Sequence, residues 1–154
     1  MLAASAVCSG RRRVKSIRCC RSWGPSRCRT HSTAITCTAR AVKPEAKNIL
    51  DLGCGAGNYT LKMLSKVPNL DSTLVDLSQN MLDKAFERVS EVTSAKVETI
   101  QGDIREIELP KNHFDIILAG AVLHHLREDS DWELVFQKLY DSLTPGGCFL
   151  ISDL

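Results

Sequence analysis

Several absences narrow the classes open to this 154-residue chain. No apolar run reaches the roughly 18 residues that a membrane-crossing helix needs, so nothing in the sequence spans a bilayer. No pair of its seven cysteines has C-x-x-C spacing, and no histidine spacing completes a zinc site, so no metal is expected. No apolar stretch of about 7–15 residues follows the early arginines, which argues against a secretory signal. No internal repeat is visible. Acidic residues are missing from residues 1–44, where ten Lys or Arg give +10.

What is present divides the chain in two. Residues 45–154 carry ten Lys or Arg against eighteen acids, or −8, and the two parts sum to the overall +2. In residues 1–44, Arg11, Arg12, Arg13, Arg18, Arg21, Arg27 and Arg29 sit among six serines and four threonines. Arg-rich, Ser-rich and acid-free is the composition of an organellar transit peptide, so the expectation is import into a mitochondrion or plastid. A disordered basic tail is the alternative, with a cytoplasmic location. Five cysteines (Cys8, Cys19, Cys20, Cys28 and Cys37) lie in this arm, and only Cys54 and Cys148 lie beyond it. Free thiols in a reducing compartment account for them.

From Asn48 onward, strands and helices alternate. Asn48–Leu52 reads as a strand stopped by Gly53-Cys54-Gly55-Ala56-Gly57, with a helix from Asn58 to before Pro68. Strands follow at 72–77, 96–100, 114–119 and 148–151. Ser78 offers an N-cap for a helix with Met81, Leu82, Ala85, Phe86 and Val89 at helical spacing. Ser130-x-x-Glu133 reads as a capping box opening a helix whose inward stripe is Trp132, Val135, Phe136, Leu139 and Leu143. Both stripes are expected to face the core. Alternating strands and helices imply βαβ units and a doubly wound, Rossmann-like α/β sheet, mostly parallel.

Ligands of such sheets sit at the carboxyl ends of the strands, so the residues there matter most. Glycines let the backbone turn sharply beside a ligand, and a helix N-terminus favours negative charge. A dinucleotide fingerprint would place a third glycine at position 58, where this chain has Asn58, and Asp51 precedes the glycines by two. Both features speak against a nicotinamide-dependent oxidoreductase.

The loop Asp51-Leu52-Gly53-Cys54-Gly55-Ala56-Gly57 instead resembles the first motif of class I S-adenosylmethionine-dependent methyltransferases. Val75-Asp76-Leu77-Ser78, Gly102-Asp103-Ile104, Phe114 to Leu126 and Leu143 to Gly147 resemble that family's later motifs, in order. The resemblance implies S-adenosyl-L-methionine as cofactor. It assigns Asp51 to the methionine ammonium, Gly53 and Gly55 to the close backbone approach, and Asp76 to the ribose hydroxyls, with Leu77 beside it. Asp103 would take the adenine amino group, Ile104 would pack on the ring, and Ala119 would lie near the reactive end. His124 and His125 are the local candidates for a catalytic base, and a packing or capping role is the alternative. Cys54 is expected to be a small packing residue, and His113 to be solvated.

The implied activity is methyl transfer to an unidentified acceptor, more readily a small molecule than a nucleic acid given the acidic body. The family continues past its fifth strand with a helix and an antiparallel strand pair that this sequence lacks. On that reading 45–154 is an incomplete domain whose fifth strand is a bare edge, to be covered by an oligomeric or partner chain. A non-catalytic binding or interaction module is the competing expectation. Residues 102–107 also resemble enzymes that use carboxy-S-adenosylmethionine on transfer RNA, but no residue to hold the extra carboxylate is identifiable.

Overall fold

The computed structural model describes residues 5–8, 43 and 45–152. Expectations for residues 9–42, including most of the basic arm, lie outside the described residues. The elements are β1 (Ser5–Cys8), β2 (Asn48–Leu52), α1 (Asn58–Leu64), β3 (Asp71–Asp76), α2 (Gln79–Ser90), β4 (Val97–Gln101), β5 (Phe114–Gly120), a 3-10 turn (Leu123–His125), α3 (Asp129–Ser142) and β6 (Leu143–Ser152). One six-stranded sheet runs in the order β1-β6-β5-β2-β3-β4. All pairings from β2 to β6 are parallel, with Leu50 opposite both Thr73 and Ile117.

Strand alternation sorts β2 between two layers. Ile49 joins the core cluster containing Met63 of α1 and Leu82, Ala85 and Val89 of α2. Leu50 and Leu52 join the cluster containing Val135 and Leu139 of α3. The strands at the centre are therefore covered on both faces, and every residue of β5 up to Ala119 is buried. The chain lays β3 and β4 on one side of β2, then returns to lay β5 and β6 on the other. That reversal opens a crevice at the carboxyl ends of β2 and β5, where ligands of such sheets bind.

The opposite end of the sheet is tied by one buried carboxylate. Asp115 of β5 pairs with the Lys43 ammonium at 2.7 Å, accepts the Thr144 hydroxyl at 2.8 Å and accepts the Lys47 amide at 2.8 Å. Burial alone would raise its pKa, but these donors outweigh it and hold the carboxyl down at about 2. Lys43 lies within the stretch read from sequence as a detached arm, yet here it fastens the entry into β2.

Four expectations need correction. The fifth parallel strand, β6, is not a bare edge, because β1 pairs with it antiparallel, Ser5 opposite Ile151 and Cys8 opposite Cys148. The capping box does not form: α3 starts two residues earlier, Glu128 occupies the N-cap without a side-chain bond, and Ser130 falls inside the first turn. Asp129 and Asp131 supply favourable negative charge there instead. Ser78 does occupy the N-cap of α2, but its hydroxyl makes no capping bond. Finally, Met81, Phe86 and Trp132 are exposed, Phe86 by 47%. A stripe at i, i+3 and i+4 is wider than the line along which one helix touches a sheet.

Candidate active site

The site is organised around Asp76, the last residue of β3. One carboxylate oxygen accepts the Gly55 amide at 2.9 Å and the other accepts the Ser78 amide at 2.9 Å. Its carbonyl accepts the Gly102 amide at 3.1 Å, and the carbonyl of Val75 accepts the Cys54 amide at 3.0 Å. The ends of β2, β3 and β4 are thereby stitched at one point. Each carboxylate oxygen keeps a second lone pair, and together they can receive two further donors.

The glycine loop takes its shape from positive φ at Gly53, Gly55 and Gly57. At Gly53 (φ 62) a β-carbon would lie 2.7 Å from Val122 Cγ2, so backbone and side chain meet where no other residue would fit. At Gly55 (φ 51) the space above the α-carbon is open. Arg88 of α2 grips the loop from outside, donating to the Ala56 carbonyl and, at 3.0 Å, to the Asn58 side chain. Asn58, which replaces the third glycine of a dinucleotide fingerprint, is the first residue of α1.

Asp51 points toward the α1 layer and is almost fully buried. One of its oxygens accepts the Thr60 hydroxyl at 2.7 Å, while Oδ1 is buried with no hydrogen-bond partner. Burial raises its pKa to about 6, with Thr60 opposing and the charge of Asp76 adding to the rise. A buried acceptor without a donor is costly. An arriving cationic donor would relieve that cost.

Asp103 follows β4. Its Oδ1 accepts the Arg105 amide at 2.9 Å and Nε at 3.0 Å, and its Oδ2 accepts Nη2 at 2.6 Å. The Arg105 fork is the main cause of a carboxyl held down at about 2. Three of about four lone-pair sites are filled, leaving one on Oδ2 for an outside donor.

A cleft of about 430 Å3 brings many of these groups together. Gly53, Asp76, Leu77, Asp103, Ile104 and His125 line it. Leu77 is 67% exposed, an apolar side chain left standing at a strand end. Asp51 and Gly55 are not among the residues that line it. His124 is exposed and outside it, its ring centroid 4.1 Å from that of His125. Both histidines are exposed. His113 is exposed, edge-on to Phe114. Cys54 is buried, and burial, the first cause, pushes its thiol far up, so it is no nucleophile.

Ala119 requires a correction. It is buried inside the sheet, because β5 runs one residue further to Gly120 before turning at Ala121 (φ 54). Ala121 and Val122 form the wall expected of Ala119. Sequence reasoning also missed Arg105 and Arg127 in the lining and Arg88 behind the loop. Tyr59 was missed as well, its ring lying over Gly120. None of these carries a local pattern that would have marked it.

Three comparisons bear on this arrangement. Residues 49–147 match the sequence profile described as a methyltransferase domain. The demethylmenaquinone methyltransferase of Listeria monocytogenes is 35% identical over 101 residues, covering 65% of this chain and 41% of that protein. The malonyl-[acyl-carrier protein] O-methyltransferase of Halalkalibacterium halodurans is 39% identical over 116 residues, covering 73% of this chain and 41% of that one. Among solved structures, the phosphoethanolamine N-methyltransferase 2 of Haemonchus contortus, in complex with S-adenosyl-L-methionine, superposes with a TM-score of 0.63 at 31% identity. It aligns with 78% of this chain, which covers 27% of it. The chain thus spans about two-fifths of the length of the curated relatives it matches. Since the profile runs from β2 into β6 and takes in the glycine loop and the three strand-end carboxylates, the chain belongs to the methyltransferase domain family.

Proposed function

We propose that this chain binds S-adenosyl-L-methionine in the cleft and directs its methyl group to a small-molecule acceptor. The observation that carries the reading is the meeting of Asp76 and Asp103, from the ends of adjacent parallel strands, in one glycine-bounded crevice, with the buried Asp51 on the neighbouring strand. The acceptor set fits the cofactor. The unpartnered Oδ1 of Asp51 suits an ammonium, the two open lone pairs of Asp76 suit a ribose diol, and Oδ2 of Asp103 suits an exocyclic amine. Leu77 and Ile104 supply apolar surface for a purine.

When bound, S-adenosyl-L-methionine supplies a methyl group already activated by its sulfonium. The chain's own task is then to orient and enclose the acceptor, and orientation contributes about 7–11 kcal/mol in favourable cases. An alcohol, phenol or amine acceptor also needs a group to take its proton. His125 lines the cleft, with the His124 ring against it, which supports that role for it. The curated relatives named above act on small or carrier-bound acceptors by their names, which supports a small-molecule substrate. The basic, acid-free composition of residues 1–44 supports import into a mitochondrion or plastid, which a fluorescent fusion would report.

Calorimetry with S-adenosylhomocysteine tests the reading. The parent protein should bind it, and Asp76→Ala, with its fold checked by circular dichroism, should lose at least about tenfold in affinity, as expected for charge-assisted bonds. Equal affinity in the two proteins would overturn the site.

A further inference from the structure

The segment joining β4 to β5 carries Asp103 and Ile104 but contains no regular element. Its own backbone supplies little: the Glu106 and Ile107 amides both donate to the Asp103 carbonyl, each at 2.9 Å. Its two ends are tied by backbone, Gly102 donating to Asp76 and Asn112 and His113 to the end of α3, and the stretch between them is held by a side chain from α3. The Lys138 ammonium donates to the carbonyls of Ile104 at 2.8 Å, Arg105 at 2.9 Å and Ile107 at 2.7 Å. An ammonium has three protons, and here all three are spent on one short stretch of backbone.

We infer that Lys138 is a positioning residue of the cofactor site, a clamp that sets where Asp103 and Ile104 stand in the cleft. The inference rests on the cofactor reading above and names a residue that acts through others. Two further contacts carry its effect into the cleft. A β-carbon on Gly102 would lie 2.4 Å from Ile107 Cγ2, so Ile107 is folded directly over the start of the loop, and its carbonyl is one of the three held. Arg105, whose carbonyl is another, forks Asp103 with its side chain. The other side-chain tie near Asp103, Arg105 to Asp131 at 3.3 Å, is an exposed ion pair of the kind that contributes little, and the Asn112 and His113 amides reach α3 only at the far end of the segment. Without Lys138 the three carbonyls lose their common donor, and the angle at which Asp103 presents its open lone pair is no longer fixed.

The test uses Lys138→Met, which keeps the hydrocarbon stem and removes the donors, and Lys138→Gln as a second variant should the first fail to fold. Two readouts are taken. Amide hydrogen exchange should quicken at Glu106 and Ile107 by about tenfold or more, while the β5 amides keep the parent rates. Calorimetry should compare S-adenosylhomocysteine with its deaminated analogue, S-inosylhomocysteine. The parent should favour the amino form by about tenfold, the worth of one charge-assisted bond, and the variant should lose most of that preference. General destabilisation would weaken both ligands alike and leave the ratio standing. Unchanged exchange overturns the clamp, and faster exchange with the preference intact overturns the positioning role. A parent protein that binds neither ligand overturns the cofactor reading and with it the cofactor role of Lys138, a result distinct from a parent that binds and a variant that matches it.

Discussion

Replacing Asp51 by Asn should stabilise the protein while weakening its cofactor site, and the two effects have different pH dependences. Burial carries the Asp51 carboxyl from 3.8 to about 6, so the folded state prefers it protonated. A carboxyl with a raised folded pKa contributes stability below its unfolded value and loses it as pH climbs toward the folded one. The shift of about two units corresponds to roughly 3 kcal/mol of destabilisation, developed between about pH 4 and pH 6 and flat above. Asn keeps an oxygen for the Thr60 hydroxyl and carries no charge, though its amide then stands where Oδ1 now lacks a partner. That residual penalty, about 1–2 kcal/mol, leaves a net gain near 1–2 kcal/mol at pH 7. Urea unfolding of both proteins at half-unit pH steps reads the difference directly. A gain that widens from pH 4 to 6 and then levels agrees with the structure, whereas a variant less stable at pH 7, or a difference independent of pH, would refute the assignment of a desolvated carboxylate. Affinity for S-adenosylhomocysteine should fall by about 10- to 150-fold in the same variant, from the lost charge-assisted bond.

The carboxylate at the other end of the sheet should behave oppositely. Asp115 is held at about 2 by Lys43 and its neighbours, so its contribution is present above about pH 4 and fades as pH falls toward 2. Asp115→Asn should cost roughly 2 kcal/mol at pH 7 and only a small fraction of that at pH 2, and equal losses at both would contradict the ion pair. Gly120→Ala should cost about 1–3 kcal/mol, because the new carbon would lie 2.3 Å from the Tyr59 ring. Adding Tyr59→Leu should recover most of that loss in thermal melts, and an additive double variant would place the clash elsewhere.

How much of this was legible beforehand depended on locality. Asp51, Asp76 and Asp103 stand at or just past the ends of short aliphatic runs, so a strand reading and a parallel sheet sufficed to put all three at one end of the sheet, where Asp76 and Asp103 line the cleft and Asp51 is buried. Lys138, Arg88 and Tyr59 lie on ordinary helices, and their partners are 30 or more residues away, so no spacing rule reveals them. The misreadings share a cause. Ser130-x-x-Glu133 satisfies a local rule, but the helix starts soon after the 3-10 turn, two residues early. Ala119 was placed at a strand end that proved to be one residue short, and a single step along a strand turns a side chain to the opposite face.

The gripping of the glycine loop by Arg88 has a consequence for the order in which the protein assembles. The loop is complete by position 57, yet the contacts that define it come from Val75, Asp76 and Arg88. A nascent chain ending before Arg88 contains every glycine of the loop but not the outside grip, and only docking of the whole β2–α1–β3–α2 unit closes it. Loops closed over such distances form late, after their entropy cost has been met by packing. Cofactor capture is therefore a report on finished folding, and ligand present during refolding would trap the native state by mass action without hastening its arrival.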